Sequence, residues 1–250
     1  MKKPQRFVRC LAVGAGEVYN VNMKFKRPQR VSSYTEASLT AIMTCPSGSK
    51  VSLGGAFGLA HYHEFRTTND IDAWWNDDCP SQDKAAVLQT VHHALSQFGP
   101  VIQRRHGDVV SVELQENGRI IFSFQIAQRD ALLAPTKDSP WPPVQLDSFE
   151  DLLAAKMTAL IERGAPRDFI DIHEMCRAGI TDIETCWRTW RQREEARGVE
   201  APDVPSATEA VRIHLARIER VRPLEAISDS MDRARAEQLR NWFKNEFCGE

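Results

Sequence analysis

The stretch Leu53-Gly54-Gly55-Ala56-Phe57-Gly58-Leu59-Ala60-His61-Tyr62-His63-Glu64-Phe65-Arg66-Thr67-Thr68-Asn69-Asp70-Ile71-Asp72 decides the reading of this chain. Residues 50–53 read as a short strand running into the paired glycines. Residues 56–62 suit a helix, and 69–75 read as a strand. Side chains on a strand alternate in direction, so Asp70 and Asp72 share one face while Ile71 turns to the core. Paired carboxylates on one rigid strand suit Mg²⁺, which keeps waters and binds through one or two carboxylates plus substrate phosphates. Gly54 and Gly55, between strand and helix, let backbone N–H groups approach phosphate oxygens. The two features together predict a site for a metal-bound triphosphate.

Upstream, Ser or Thr ahead of Glu36 reads as a helix start, with Leu39, Ile42 and Met43 at helical spacing. Downstream, residues 82–98 form an amphipathic pattern with Val87, Leu88, Val91, Leu95 and Phe98 on one side, ended by Gly99-Pro100. Three strand-like runs follow at 101–105, 109–114 and 119–126. Asn117-Gly118 joins the last two and signals a hairpin. Residues 135–143 are a Pro-rich connection, and from Ser148 onward the chain reads as helices. Mixed strands and helices followed by helices alone predict an α+β fold, a mixed sheet in front of a C-terminal helical bundle. The expected organisation is a basic arm over 1–31, an α/β domain over 32–145 and a helical domain over 146–250.

Composition narrows the classes. The chain has 250 residues, 42% hydrophobic and 26% charged, which excludes collagen-like, low-complexity and wholly disordered proteins. A net charge of -2 means that any nucleic-acid contact must use local basic patches. The sequence has no apolar run of membrane-spanning length, and the segment after the basic N-terminus is too short and interrupted for a signal peptide. The six cysteines are scattered with no C-x-x-C pair, so reduced thiols and a cytoplasmic setting are expected. The histidines show no zinc spacing.

A second pattern lies in the helical half: Asp151-Leu152-Leu153-Ala154-Ala155-Lys156-Met157-Thr158-Ala159-Leu160, then Arg163-Gly164-Ala165-Pro166-Arg167-Asp168-Phe169-Ile170-Asp171. Lys156 sits among leucines, where a cation either finds an anionic partner or snorkels to the surface. Pro166 fits the first helical position, which puts Asp168 in the first turn, with Asp171 on the same face.

The pattern G-G-x(10)-R-x-T-x-D-x-D from Gly54 to Asp72 resembles the nucleotidyltransferase signature of the AbiEii-type toxins. These are the toxin half of type IV toxin–antitoxin and phage-defence systems, within the polymerase-β-like nucleotidyltransferase superfamily. The Lys156 helix and the R-D-x-x-D run from Arg167 to Asp171 are similar to that family's second motif. The resemblance covers roughly residues 35 to 180. It implies a polymerase-β-like fold and Mg²⁺-dependent transfer of a nucleoside monophosphate from an NTP, with the 3′ end of tRNA as acceptor and an antitoxin protein as partner. On this reading Asp70 and Asp72 hold the metal, and Gly54, Gly55 and Lys156 meet the triphosphate. Arg66 and Thr68 order the loop, and Asp168 orients a cation or takes part in catalysis. The alternatives are transfer to a small antibiotic-type hydroxyl, or a catalytically degenerate module that binds a nucleotide or partner.

The sequence departs from the superfamily pattern in two places. The third carboxylate belongs on the strand of residues 119–126, which offers Ser123 and Gln125, with Glu113 on the preceding strand as a substitute. Gly55-Ala56 also replaces Gly-Ser or Gly-Thr. Other candidates carry plain readings beside functional ones. Trp74-Trp75 could stack a base or fill the core. Asp77-Asp78 could meet a cationic acceptor or lie in a solvated loop. The rear arginines, from Arg188 to Arg240, could face RNA or form solvated mixed-charge faces.

Overall fold

A computed structural model describes residues 25–76 and 79–249. Most of the expected basic arm, and the Asp77-Asp78 pair, lie outside these residues. The chain divides into two compact units, Met1–Leu152 and Leu153–Glu250, and the division falls inside one helix.

The described part of the first unit begins with α1 (Ser33–Thr44), capped by the Ser32 hydroxyl accepting from the Thr35 N–H. Then come β1 (Val51–Leu53), the short α2 (Gly55–Ala60), β2 (Asp70–Trp75) and α3 (Ser81–Ser96). Strands β3 (Val101–His106), β4 (Val109–Glu116) and β5 (Arg119–Gln128) follow as antiparallel neighbours. Asn117 and Gly118 both take positive φ, 50° and 73°, as a tight type I′ connection requires.

The described strands form one seven-stranded mixed sheet in the order β3-β4-β5-β2-β1-β7-β6. Its last two members, β6 (Lys137–Asp138) and β7 (Gln145–Leu146), correct the expectation of a plain Pro-rich connection. β7 pairs in parallel with β1, so this segment extends the sheet, and Trp141 between the two strands is 1% exposed. The compact unit therefore runs past residue 145, and Phe149 and Leu152 of α4 (Phe149–Glu162) are buried at its end.

One face of the sheet supplies the core. Ile71, Ala73 and Trp75 of β2, Phe122, Phe124 and Ile126 of β5, and Val110, Val112 and Leu114 of β4 pack with Leu39 and Ile42 of α1 and with Val87, Val91 and Leu95 of α3. Full burial of such side chains contributes roughly 1.5–3 kcal/mol each. Because the period is two, the same strands must turn Asp70, Asp72, Ser111, Glu113, Ser123 and Gln125 to the opposite face.

The second unit is helical throughout its regular structure. Beyond α4 come α5 (Pro166–Arg177), α6 (Ile183–Ala196), α7 (Val204–Val221) and α8 (Ser230–Trp242), the last ending in a π-helical turn over Phe243–Phe247. Phe169 and Phe243 meet edge to face with centroids 4.7 Å apart, and Trp187, Trp242 and Phe247 continue that aromatic core. The described cysteines form no disulfide. Among the described residues no helix is long and apolar enough to cross a membrane.

Candidate active site

The site is built on the polar face of β2. Thr68 anchors the strand's first residue: its hydroxyl accepts from the Asp70 N–H and donates to the Asp70 carbonyl, both at 3.2 Å. Asp70 and Asp72 then project from one face, with Ile71 fully buried between them on the other. β5 lies parallel and directly adjacent, with Asp70 opposite Ser123 and Asp72 opposite Gln125. The Ser123 hydroxyl donates to Asp70 Oδ1 at 2.7 Å, and Gln125 Nε2 donates to Ser123 Oγ at 3.1 Å.

Glu113 stands opposite Ser123 on β4, one strand further out. Two interstrand steps put its Cα roughly 10 Å from that of Asp70. Its Oε1 accepts from Ser111 Oγ at 2.8 Å and its Oε2 is ion-paired with Arg104 Nε at 3.1 Å, without hydrogen-bond alignment. Among the described residues no three His, Cys, Asp or Glu side chains gather closely enough to hold a metal ion. Glu113 thus stands apart from Asp70 and Asp72 in this arrangement.

The glycine pair and the acid pair are one spatial unit. The Gly54 N–H donates to the Asp72 carbonyl at 2.8 Å, which draws the β1–α2 turn across β2. A Cβ at Gly54 would lie 2.4 Å from Trp74 Nε1. A Cβ at Gly55 would lie 2.0 Å from Asp72 Oδ2, and Gly55 also holds φ at +57°. Trp74 is thus a packing partner of this turn, while Trp75 fills the core at 3% exposure. In the loop ahead of β2, the Arg66 guanidinium donates to the Thr67 carbonyl at 3.3 Å and lies over the Phe65 ring at 5.9 Å.

The donor set fits a hard divalent cation. Asp70 and Asp72 offer only oxygen, from one rigid strand face, and an ion such as Mg²⁺ completes its shell with water and substrate oxygens.

Within the second unit, Lys156 is 7% exposed and does not snorkel. Its ammonium donates to Asp168 Oδ1 at 3.1 Å and pairs with Asp171 Oδ2 at 2.8 Å. Arg163, to which the sequence pattern gives no role, adds a two-pronged contact to Asp168 at 2.9 and 3.1 Å. Asp168 also accepts from the Ala165 N–H at 3.2 Å, as an acid in the first turn after Pro166 can. Burial pushes the Asp168 carboxyl up, but Arg163 and Lys156 outweigh it and hold the group below the usual carboxylate range. Sequence spacing had placed Asp168 and Asp171 on one face, and the structure shows that both grip Lys156 there.

A turn of glycines folded onto paired acids of a mixed sheet is the arrangement expected of a nucleotidyltransferase. The family model for the nucleotidyl transferase AbiEii toxin of type IV toxin–antitoxin systems matches residues 38–245. The chain belongs to this family and is a nucleotidyltransferase toxin, whose family implies an NTP substrate and an antitoxin partner. No curated protein matches it. Among solved structures, the crystal structure of an inferred nucleotidyltransferase from H. pylori is similar at 14% identity and a TM-score of 0.47, over 86% of this chain and 93% of that one.

Proposed function

We propose that the chain transfers a nucleoside monophosphate from an NTP to the 3′ end of tRNA in a Mg²⁺-dependent reaction, as a cytoplasmic toxin acting in phage defence. The observation that supports this most is the Asp70–Asp72 pair on one strand face, with Gly55 folded against the Asp72 carboxylate. The acceptor hydroxyl attacks the α-phosphorus and gives up its proton to solvent, a new P–O bond forms, and the α–β bridge breaks with its electron pair leaving on pyrophosphate. Asp70 and Asp72 would hold the ion, which supplies neutralisation of charge on the transferring phosphoryl group.

The chain's own residues position and bind. Thr68 fixes the start of the acid-bearing strand, and Gly54 and Gly55 keep a backbone with no side chains beside it. Arg66 and Lys156 are proposed as cations for the triphosphate, with Asp168 orienting Lys156. The tRNA acceptor rests on the family resemblance.

The test incubates the purified chain with each α-labelled NTP and Mg²⁺, in the presence of total tRNA or of hydroxyl-bearing small acceptors such as aminoglycosides. Label is expected on tRNA, and absent without Mg²⁺ or with Asp72→Ala. Label on a small acceptor alone would replace tRNA in this reading, and equal transfer by Asp72→Ala would remove the site itself.

A further inference from the structure

The sheet position where a third carboxylate is expected holds a neutral pair, Ser123 and Gln125. Ser123 is 4% exposed, and its N–H donates to the Asn69 carbonyl at 3.0 Å, so its backbone is locked to the segment leading into β2. A serine hydroxyl carries one proton, and a carboxylate oxygen accepts. That proton therefore points at Asp70 Oδ1, 2.7 Å away. The Ser123 oxygen is left to accept, and Gln125 Nε2 donates to it at 3.1 Å. The donors run in one direction, from Gln125 through Ser123 to Asp70.

We infer that Ser123 and Gln125 are positioning residues, which hold the Asp70 carboxylate in one orientation for a divalent cation in place of a third acid. The inference rests on the reading of Asp70 and Asp72 as the ion's ligands. Carboxylates that ligate metals are commonly held by such outer partners. Here the partner stands on the neighbouring strand, in register, with its own acceptor satisfied by Gln125, so the hydroxyl has one place to aim.

Mn²⁺ is the probe, titrated into the full chain without nucleotide and followed by electron paramagnetic resonance. Asp70→Ala is expected to abolish tight binding. Ser123→Ala should weaken it roughly 10- to 100-fold, the usual cost of losing an outer partner. Gln125→Leu should give a smaller loss in the same direction, and Ser123→Thr, which keeps the hydroxyl, should restore affinity. Thermal unfolding recorded alongside should be unmoved in Gln125→Leu, whose side chain is only half-buried, so this variant carries the test if Ser123→Ala fails to fold. Binding that depends on Asp70 but is unchanged in both Ser123→Ala and Gln125→Leu would overturn the inference and leave the site standing. Wild-type binding in Asp70→Ala would overturn the reading of the site as well.

Discussion

Gly55 and Asp72 occupy the same space: a methyl group on Gly55 would sit 2.0 Å from the Asp72 carboxylate oxygen and 2.7 Å from its Cβ. The two residues are seventeen apart in sequence. They meet because β1 and β2 pair antiparallel, Leu53 opposite Ala73, and the chain turns immediately after β1. The glycine does two jobs there. It adopts a left-handed φ of +57°, and it leaves one side of the carboxylate covered by backbone alone.

Gly55→Ala should therefore be costly beyond its backbone conformation. A non-glycine residue in the left-handed region costs about 1–2 kcal/mol, and the new Cβ must also displace Asp72. The expected result is a loss of stability in urea unfolding together with a loss of nucleotide transfer. In an Asp72→Ala background the added cost of Gly55→Ala should shrink, since the carboxylate is gone although the Asp72 Cβ position remains close. Additive losses would mean that the turn relaxes away from β2.

Asp70→Ala and Asp72→Ala should each reduce transfer by more than about 100-fold, above the range for outer partners of a metal ligand. Both residues lie on the polar face, whereas Ile71 and Ala73 carry the core. Circular dichroism and the melting temperature should stay near wild type. Transfer rates measured with saturating NTP and Mg²⁺ check the first point, and collapse of the fold in either variant would contradict the second.

What sequence revealed, and what it hid, follows from the range of the interactions. The alternation in β2, the Asn117-Gly118 turn, Pro166 at the first position of α5 and the shared face of Asp168 and Asp171 are all set within a few residues, and all were readable. The two-residue strands β6 and β7 were not, because β7 pairs with β1 some ninety residues away in the chain and β6 pairs only with β7, so neither rests on a local period. The same holds for the Ser123–Asp70 bond, which spans 53 residues. It holds too for the buried Arg129–Asp147 pair, in which Arg129 also donates to Ser52. Sequence could name Ser123 and Gln125 as departures from an acid, but only the β2–β5 register shows that they face Asp70 and Asp72.

Lys156 is the hub of a buried charge cluster, so Lys156→Ala should destabilise the protein whatever it does to NTP binding. Asp168 and Asp171 are 1% and 0% exposed. Removing the ammonium leaves Asp171 without that partner and Asp168 with Arg163, whose side chain is 65% exposed and screened by solvent. Breaking a buried pair from one side costs about 3–5 kcal/mol. Urea unfolding measures it. A loss below about 1 kcal/mol, the size expected of a surface pair, would show that water reaches the cluster. Lys156→Met with Asp171→Leu should recover part of the loss, because the uncompensated charge goes with its partner.

His61, just after α2, should give the protein a stability loss in mild acid. Its Nδ1 lies 3.0 Å from the Phe57 carbonyl, which can only accept, so Nδ1 carries the proton. Nε2 is then a buried nitrogen with no hydrogen-bond partner, and the ring packs edge to face on Phe57 and Trp141. A second proton would place a charge where nothing accepts it. Burial accordingly pulls the pKa from 6.5 down to about 4, against smaller upward pulls from the Phe57 and Gly58 backbone and from Glu64. The unfolded chain binds a proton below about 6.5 that the folded chain refuses until about 4, so unfolding takes up a proton in that window. Stability is complete above pH 6.5 and falls as the pH drops towards 4, by about 3 kcal/mol in all. His173, also shifted down by burial, adds a slope of the same sign in the second unit. Urea unfolding at intervals between pH 8 and pH 4 should show this decline. In His61→Leu the slope should lose about 1.4 kcal/mol per pH unit while the His173 contribution remains. An unchanged slope in His61→Leu would mean that His61 takes its proton in the folded state as readily as in water.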